Sequence, residues 1–360
     1  MNTITQNNVN LIASPGAWIE GEAVRQLYAT ANLEGMSSAV GFPDLHPGKG
    51  APTGAAFVSE ELIYPHIIGS DIGCGMAFWQ TDLVRRKAKL DRWAGLRFDL
   101  EHPWEGDQSE WLELNQLAST EFDQSMGTLG GGNHFAELQA VERVVDAVQF
   151  KALGLEREAL MMLVHSGSRG YGESILWRHA AEHGASGVDP LSEAGRAYME
   201  EHDNAVRWAK ANRLLIGHRF RECLGAEASV LWDGCHNSVS LRDTSEGPLW
   251  LHRKGAVNSE SNVVVIPGSR GTLSYLVQPT GDGESHAWSL AHGAGRKWSR
   301  SESRQRARER HRIAELVQTP LGGRVVCEQR DLLFEEAPMA YKPIESVIEA
   351  LEKAALVRVI

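Results

Sequence analysis

The spacing of apolar side chains along the chain indicates a mixture of helices and strands. Apolar positions recur at helical spacing over residues 20–33, which predicts a short amphipathic helix. A second helical pattern covers about 106–126. Residues 172–223 are predicted to be mostly helical, with a break at Gly184–Pro190 where glycine and proline interrupt the pattern. The pattern closes with a helix near Ile344–Ala355.

Strand signals are short and scattered. Glycine, proline and short β-branched runs predict strands and tight loops between Gly41 and Met76. Leu160–Val164 predicts a buried strand that leads into a loop, and Val263–Ile266 and Gly271–Val277 are also strand-like. The strands and helices mix without a regular βαβ rhythm, so an α+β fold is favoured over a doubly wound sheet. Without a low-complexity linker or a repeat, one domain spanning 1–360 is expected.

Composition places the chain among ordinary globular proteins. Of its 360 residues, 42% are hydrophobic and 23% are charged. The first ten residues, MNTITQNNVN, do not resemble a signal peptide, and the longest apolar runs are too short to cross a bilayer. Four cysteines do not suggest a disulfide scaffold. A cytoplasmic protein with reduced thiols and no membrane attachment is therefore expected.

Charge is distributed unevenly along the chain. A formal net charge of −11 argues mildly against nucleic-acid binding, because phosphate contacts need local positive charge. The segment Arg296–Arg312, RKWSRSESRQRARERHR, nevertheless holds eight basic residues and two acidic ones. A polar helix is predicted over about 296–316. Such a basic element could follow a phosphate backbone; the alternative is a solvated helix face.

Four separated segments place a metal-ligating side chain beside glycine or another small residue. They are GSDIGCGM with Asp71 and Cys74, GTLGGGNHFAEL with His134, LVHSGSRGYG with His165, and DGCHNSVS with His236. Together they offer a carboxylate, a thiolate and three imidazoles, enough for a metal site or a metal pair that bridges phosphate. Thiolate and imidazole favour zinc, whereas the carboxylate permits manganese. Taken singly, each residue is typical of a turn or core position, and Cys235 is interpreted as packing.

Three further segments combine glycine with residues that approach phosphate. They are Gly41–Gly54 with Lys49, the stretch 264–277, and the stretch 289–300 with His292 and Arg296. Small residues let backbone N–H groups meet an anion, although the glycine spacing fits neither a Walker A loop nor a dinucleotide fingerprint. Each loop alone could be a tight turn. An accessible imidazole at His292 could attack phosphorus, with Arg296 stabilising the developing charge.

Together these segments resemble the RtcB family of RNA ligases. The resemblance rests on PDLHPGKG (43–50), SDIGCGM (70–76), GTLGGGNHF (127–135), HSGSRG (165–170), HN (236–237), HRKGA (252–256), IPGSRGTLSY (266–275), HGAGR (292–296) and Tyr341-Lys342. The motifs follow one another in order from about residue 41 to 342. The resemblance implies mixed β-sheets with surrounding helices and a central metal and nucleotide cleft.

The resemblance also implies residue roles. Two Mn²⁺ ions per chain would be bound by Asp71, Cys74, His134, His165 and His236, with Cys74 bridging. His292 would be the nucleophile that carries GMP from GTP. The guanylate would be surrounded by Asp44, Asn133, Phe135, Glu137, Asn237, Pro267, Gly268, Ser269, Ser274, Gly293, Ala294, Gly295, Arg296 and Lys342.

The implied reaction joins an RNA 2′,3′-cyclic-phosphate or 3′-phosphate end to a 5′-hydroxyl end, as in tRNA splicing or RNA repair, with an archease-like activator as a potential partner. This chain departs from the family pattern at Arg270, where methionine is common, and at Val257–Glu260. These departures leave substrate choice and nucleotide contacts open. Two alternatives remain at this stage: a metal-dependent RNA-end phosphoesterase that does not ligate, and a non-catalytic RNA-end-binding protein.

Overall fold

Helices and strands are intermixed along the described residues. The computed structural model describes residues 8–245 and 247–360. Its α-helices are Gly21–Ala31 (α1), Pro65–Ile68 (α2), Leu90–Ala94 (α3), Gln108–Leu114 (α4), Ala147–Ala152 (α5), Gly170–His183 (α6), Glu193–Leu224 (α7), Arg300–Arg310 (α8), Ile313–Leu316 (α9), Arg330–Glu335 (α10) and Ile344–Lys353 (α11). Its strands are Val9–Leu11 (β1), Met36–His46 (β2), Thr53–Ser59 (β3), Gly75–Val84 (β4), Phe135–Ala140 (β5), Ala159–Ser166 (β6), Ala228–Cys235 (β7), Asn237–Thr244 (β8), Gly247–Lys254 (β9), Ala256–Asn258 (β10), Val264–Ile266 (β11), Tyr275–Pro279 (β12), Ser289–Ala291 (β13) and Val357–Val359 (β14).

The strands form four sheets with mostly antiparallel pairing. The largest has the order β1-β2-β3-β9-β8, and a four-stranded sheet has the order β5-β6-β4-β7. Two smaller sheets are β11-β12-β14 and β10-β13. Helices and largely antiparallel strands in one chain confirm the predicted α+β class. That residues 1–360 form a single domain stays a prediction.

The long helix α7 lies against the four-stranded sheet and follows from clear sequence signals. The hydroxyl of Ser192 caps its first turn by accepting a hydrogen bond from the backbone N–H of Gly195, and Gly225 ends it in a left-handed conformation. Ile216 and Phe220 pack against Trp79 and Met162 of the sheet, whereas Trp208 and Leu215 pack against Leu112 and Met126. The predicted break before α7 is confirmed, since α6 ends at His183.

Several other predicted elements agree with the structure. The helix predicted over 20–33 is α1, the strand predicted at 160–164 is β6, and the helix near 344–355 is α11. The short strand at 263–266 is β11. Local periodicity was sufficient in these cases because each segment buries one continuous apolar face or run.

Two predicted elements are wrong in extent. The helix predicted over 106–126 is only α4, because the chain turns at Gln116, which has a positive φ, and the Asp123 carboxylate then accepts hydrogen bonds from Ser119 and Thr120. The strand predicted from Gly271 begins instead at Tyr275, because residues 269–272 form a turn. In the first place the Asp123 carboxylate accepts a backbone hydrogen bond outside regular structure, and in the second the Thr272 N–H donates to the Ser269 carbonyl oxygen and closes the turn.

The basic segment is also less uniform than its sequence suggests. Its helix α8 begins at Arg300, where Ser299 and Glu302 form a capping box. Arg304 pairs with Asp331 and Glu335 at 3.2 and 3.1 Å, and Arg308 pairs with Asp331 at 2.6 Å. Two of the arginines of α8 are therefore paired with carboxylates of α10.

Two expectations about the chain as a whole concern membranes. Among the described residues, every helix is either too short or too polar to traverse a bilayer. The N-terminal stretch, read above as unlike a signal peptide, falls mostly in residues 1–7, which lie outside the described residues.

Truncating the middle strand of the four-stranded sheet tests this packing. Leu163 is fully buried on β6, between β5 and β4. Leu163→Ala should lower the free energy of unfolding by about 2–5 kcal/mol, because it removes buried methylenes and leaves a cavity. Urea denaturation measures the loss. The matched control Leu114→Ala, at a side chain that is 73% exposed, should change stability by less than about 0.5 kcal/mol; equal losses would contradict the assigned core.

Candidate metal and nucleotide site

The predicted metal ligands converge where strands of the four-stranded sheet end. Cys74 directly precedes β4, His134 directly precedes β5, and His165 is the penultimate residue of β6. His236 directly follows β7. The register explains why they meet: His165 lies opposite both Met76 of β4 and Phe135 of β5. Antiparallel pairing thus brings segments that are far apart in sequence to one edge of the sheet.

The side chains at this edge form two overlapping ligand groups. Asp71, Cys74 and His134 form one group, and Cys74, His165 and His236 form the other; within each group the potential ligand atoms lie within 4.8 Å of one another. Cys74 belongs to both. Its Sγ lies 3.5 Å from Nε2 of His134 and 3.3 Å from Nε2 of His165. These distances fit two cations that share one sulfur ligand.

Hydrogen bonds orient the histidine rings toward this centre. Nδ1 of His134 lies 3.0 Å from the carbonyl oxygen of Leu129, and Nδ1 of His165 lies 2.9 Å from that of Asn133. A ring that donates its Nδ1–H to a carbonyl keeps the lone pair on Nε2 for a metal. The backbone thus selects the tautomer that a metal ligand needs.

Burial sets the protonation of these groups. Desolvation lowers the pKa of His165 and of His236 well below the usual value, so both rings are neutral near pH 7. Burial would raise the pKa of Asp71, but its hydrogen bond and ion pair with His134 outweigh this and lower it to about 2.

The shared cysteine has the opposite tendency. Burial and the nearby Asp71 carboxylate raise the pKa of Cys74 well above the usual value. In this protein the thiolate is therefore favoured only when a cation offsets its charge, which couples proton loss to metal binding. The donor set of one carboxylate, one sulfur and three imidazoles accordingly fits divalent metal ions.

His292 lies beside this cluster and is held by a buried carboxylate. Its ring centroid is 4.7 Å from that of His236. Nδ1 of His292 lies 2.7 Å from Oδ2 of Asp44, and the backbone N–H of His292 donates to the same oxygen at 3.2 Å. Asp44 is fully buried, whereas the His292 side chain keeps 14% exposure. If Nδ1 carries the proton that Asp44 accepts, the lone pair of the ring lies on Nε2.

Local backbone irregularities bring Asp44 and His292 together. The register of β2 with β3 shifts between Gly41 and His46, so the intervening residues bulge from the strand. Gly295 lies three residues after His292 and has a φ of +71°. A Cβ on Gly295 would collide with the backbone of Asp44. Glycine is therefore required for the close approach of these two loops.

Several predicted guanylate contacts also adjoin the metal cluster. The ring of Phe135 lies 5.6 Å, centroid to centroid, from that of His165. The amide of Gln139 donates to Glu137 at 2.6 Å and to Ser274 Oγ at 3.0 Å, which links β5 to the 267–275 loop. Desolvation raises the pKa of Glu137.

Two further predicted contacts, Lys342 and Asn237, hydrogen-bond to the segments that carry Asp44 and Asp71. Lys342 donates through Nζ to the carbonyls of Pro43 and Leu45, at 2.9 and 2.7 Å, and so brackets Asp44. Burial lowers the pKa of Lys342 to about 8. Asn237 donates to the backbone oxygen of Asp71 at 3.2 Å.

Glycines and small residues line the other side of His292. A Cβ on Gly293 would lie 3.3 Å from the carbonyl oxygen of Pro267, so the 292–296 loop runs against the 267–269 loop. The residues that these two loops contribute to the predicted set are Pro267, Gly268, Ser269, Gly293, Ala294 and Gly295. Ala294 is buried, and the backbone oxygen of Gly295 accepts from the N–H of Lys342 at 3.0 Å.

Comparison with known proteins agrees with this arrangement. The sequence model of the family described as "tRNA-splicing ligase RtcB" matches residues 26–110 and 94–360. The chain belongs to the RtcB family.

Relatives with related names match nearly the whole chain. "RNA-splicing ligase RtcB2" of Escherichia coli is 46% identical over 349 residues, covering 96% of this chain and 91% of that protein. "tRNA-splicing ligase RtcB" of Thermococcus kodakarensis is 30% identical, covering 88% of this chain and 84% of the relative. "RNA-splicing ligase RtcB" of Mycobacterium tuberculosis is 27% identical, covering 92% and 97%. The resemblance drawn from separate motifs is thereby confirmed.

One RtcB-motif residue near the site was not singled out from sequence. The backbone N–H of Arg169 donates to Oδ1 of Asp71 at 2.7 Å, and its guanidinium donates to both oxygen atoms of Thr128 at 2.7 Å. A Cβ on Gly130 would overlap this guanidinium. Arg169 stands in the HSGSRG motif, four residues after His165, and that spacing was an available signal.

Arg296 and Arg270 serve the framework around the RtcB site. The Arg296 guanidinium donates to Glu336 at 2.8 Å, to the backbone oxygen of Glu335 at 2.9 Å and to Ser303 at 3.1 Å. Arg270, a departure from the family pattern, donates to the backbone oxygen of Leu333 at 2.8 Å. Both side chains attach loops of the candidate nucleotide site to the segment that carries α10. The electrostatic role of Arg296 in phosphoryl transfer stays a prediction.

The two cysteines near the cluster give a matched test. Cys74 lies in both ligand groups, whereas Cys235 Sγ donates to the backbone oxygen of Asn237 and belongs to neither group among the described residues. With Co²⁺ as a spectroscopic probe, Cys74→Ser should abolish the thiolate-to-cobalt absorption, because it removes the shared sulfur. Cys235→Ser should retain the band. Loss of the band only in Cys235→Ser would contradict the assigned ligand set.

Proposed function

We propose that this chain is a GTP- and Mn²⁺-dependent RNA ligase that joins 2′,3′-cyclic-phosphate or 3′-phosphate ends to 5′-hydroxyl ends. Family membership supports RNA ligation, since the relatives are named as splicing ligases. The observation that supports the guanylylation chemistry is the His292–Asp44 pair, in which Nδ1 and Oδ2 are 2.7 Å apart. The His292 ring contacts that of His236, which belongs to one of the two ligand groups.

In the first step, Nε2 of His292 attacks the α-phosphorus of GTP, and the bond to pyrophosphate breaks. The product is a histidine–GMP phosphoramidate. Asp44 accepts a hydrogen bond from Nδ1–H and stabilises the positive charge that develops on the ring during attack. A buried carboxylate acts strongly here, because its field is poorly screened by water.

In the later steps, a 3′-phosphate oxygen of the RNA attacks the GMP phosphorus and His292 leaves, which gives an RNA end capped as RNA-ppG. A cyclic phosphate is first opened by water to the 3′-phosphate. The 5′-hydroxyl then attacks the activated 3′-phosphate and expels GMP. The Asp71, Cys74, His134, His165 and His236 side chains would hold two Mn²⁺ ions, which supply Lewis-acid stabilisation of charge on phosphate oxygens.

The guanylate would be seated by the residues around His292. Glu137, partly buried and hydrogen-bonded by Gln139, is suited to accept hydrogen bonds from the guanine edge, and Phe135 offers an apolar ring beside it. The loops at 267–269 and 292–295 offer backbone groups for the sugar and phosphate.

Guanylylation can be measured directly by intact mass. Incubation with GTP and Mn²⁺ should add the mass of one GMP to the chain, and His292→Ala should abolish this gain because it removes the nucleophile. The control His102→Ala changes a histidine that is 56% exposed on the surface and should keep full labelling. A GMP adduct that persists in His292→Ala would refute the assigned nucleophile.

Ligation itself separates the proposal from its alternatives. An RNA with 2′,3′-cyclic-phosphate and 5′-hydroxyl ends should be sealed by the wild type and not by His292→Ala, as resolved by denaturing gel electrophoresis. Removal or opening of the terminal phosphate by both proteins, with no joined product from either, would instead indicate a phosphoesterase. Binding without any change to the RNA would indicate an end-binding protein.

Two cations of α8 that form no ion pair among the described residues are proposed to contact the RNA backbone; one of them, Arg306, lies over the Trp298 ring at 4.7 Å. Arg306 and Arg310 are exposed, whereas Arg304 is occupied by its two carboxylate partners. Arg300 is the first residue of α8, and its Nη2 lies 3.5 Å from Oδ1 of Asn133. The helix therefore begins beside the candidate site.

Replacing these cations should weaken RNA binding in a salt-dependent way. For Arg306→Ala with Arg310→Ala, the slope of log affinity against log salt concentration should become shallower by about 0.7 per lost phosphate contact. Fluorescence anisotropy of labelled single-stranded RNA measures the slope, and guanylylation should be unaffected. Arg304→Ala is the control; if it reduces the slope as much as the double variant, α8 has no free phosphate-binding face.

A further inference from the structure

Two adjacent polar side chains in the middle of α7 are completely enclosed by protein. Asn212 is 0% exposed and Arg213 is 1% exposed. Burying an amide and a guanidinium in a helix that packs on a sheet is costly unless their polar atoms find partners. In this protein those partners come from the segments that carry the proposed metal ligands.

The guanidinium of Arg213 contacts three of these segments. Its Nη1 donates to the carbonyl oxygens of Gly73 and Ser166, at 2.8 and 3.1 Å. Its Nε and Nη2 donate to the two carboxylate oxygens of Asp233, at 2.9 and 2.8 Å. One planar guanidinium group therefore connects the loop before β4, the end of β6 and the strand β7.

Each of these contacts stands close to a proposed ligand in sequence. Gly73 directly precedes Cys74, and Ser166 directly follows His165. Asp233 is three residues before His236. A displacement of the Gly73 or Ser166 carbonyl would shift the backbone of the adjacent ligand residue, because the two residues are joined through a planar peptide unit.

Asn212 connects the fourth segment. Its Nδ2 donates to Ser166 Oγ at 3.1 Å and to the carbonyl oxygen of Gly167 at 3.0 Å. Its Oδ1 accepts from the backbone N–H of Gly127 at 2.7 Å. Gly127 begins the glycine-rich loop that ends at His134. The two side chains together thus contact all four segments that bring the ligands to the sheet edge.

We propose that Asn212 and Arg213 are positioning residues of the metal centre, which set the spacing of the Asp71–Cys74, His134, His165 and His236 segments. This inference rests on the proposed metal site. The Arg213 charge is balanced by Asp233, so the pair contributes geometry rather than net charge to the site. A planar guanidinium is suited to this task because its donors have fixed directions, which a lysine ammonium lacks.

A conservative substitution separates positioning from general stability. Arg213→Lys keeps the positive charge but removes the planar guanidinium and its fixed donors. It should weaken Co²⁺ binding by about 10- to 100-fold. The thiolate-to-cobalt absorption should also change in energy or intensity, a signature that a purely structural role would leave intact. Titration of the full-length protein with Co²⁺ alone, followed by visible absorption, gives both values.

The matched control is Arg253→Lys. Arg253 is also buried, and its guanidinium donates to Ser289, Ser240 and the backbone oxygen of Trp288 rather than to the four ligand segments. Both variants should lower the thermal unfolding midpoint, but only Arg213→Lys should weaken Co²⁺ binding. An equal loss of Co²⁺ affinity in both would assign the effect to global stability and overturn the inference.

A second variant covers the case in which Arg213→Lys does not fold. Asn212→Leu keeps a similar shape and removes three hydrogen bonds to the ligand segments, so it should weaken Co²⁺ binding in the same direction. Wild-type affinity and spectrum in a folded Asn212→Leu or Arg213→Lys would overturn the positioning role while leaving the metal site intact. A wild-type protein that binds no Co²⁺ would overturn the metal site, and this inference with it.

Discussion

The arrangement of the site depends on one buried thiol placed between two groups of nitrogen and oxygen ligands. Cys74 Sγ lies within 3.5 Å of Nε2 of His134, which directly precedes β5, and of Nε2 of His165 on β6, and the strand register fixes this proximity. Since burial and Asp71 disfavour the thiolate, the arrangement is electrostatically incomplete unless cations share the site. The sheet edge, the glycine loops and the hydrogen bonds to the ring nitrogens together hold the potential ligand atoms of each group within 4.8 Å of one another.

The proposed nucleophile is subject to a different constraint. His292 must remain accessible while its second nitrogen is fixed, and a fully buried Asp44 on a bulged strand meets both requirements. Lys342 brackets the same strand by donating to two of its carbonyls, so the aspartate cannot retreat from the ring without breaking these bonds. The proposed metal centre and the proposed nucleophile adjoin each other at His236, whose ring centroid lies 4.7 Å from that of His292.

Ion pairs between α8 and α10, more than the overall composition, determine where positive charge is exposed on this surface. The basic segment supplies cations to the acidic α10 on one side and leaves Arg306 and Arg310 exposed on another. Arg270 and Arg296 attach the site loops to that same region. A net charge of −11 is therefore compatible with a local surface suited to a polyanion.

The sequence by itself determined the α+β class, the helices α1, α7 and α11, and the identity of the residues that the site brings together, because periodic apolar patterns and ordered motifs are local properties. It did not determine the extent of α4, where Asp123 captures nearby backbone and hydroxyl groups, or the pairing of α8 with α10. Only the tertiary structure decided that Cys74 is shared, that Asp44 holds His292, and that Asn212 and Arg213 join four ligand segments. The physical reason is that these contacts link residues up to 248 positions apart, and their geometry depends on strand register and helix packing rather than on neighbouring residues.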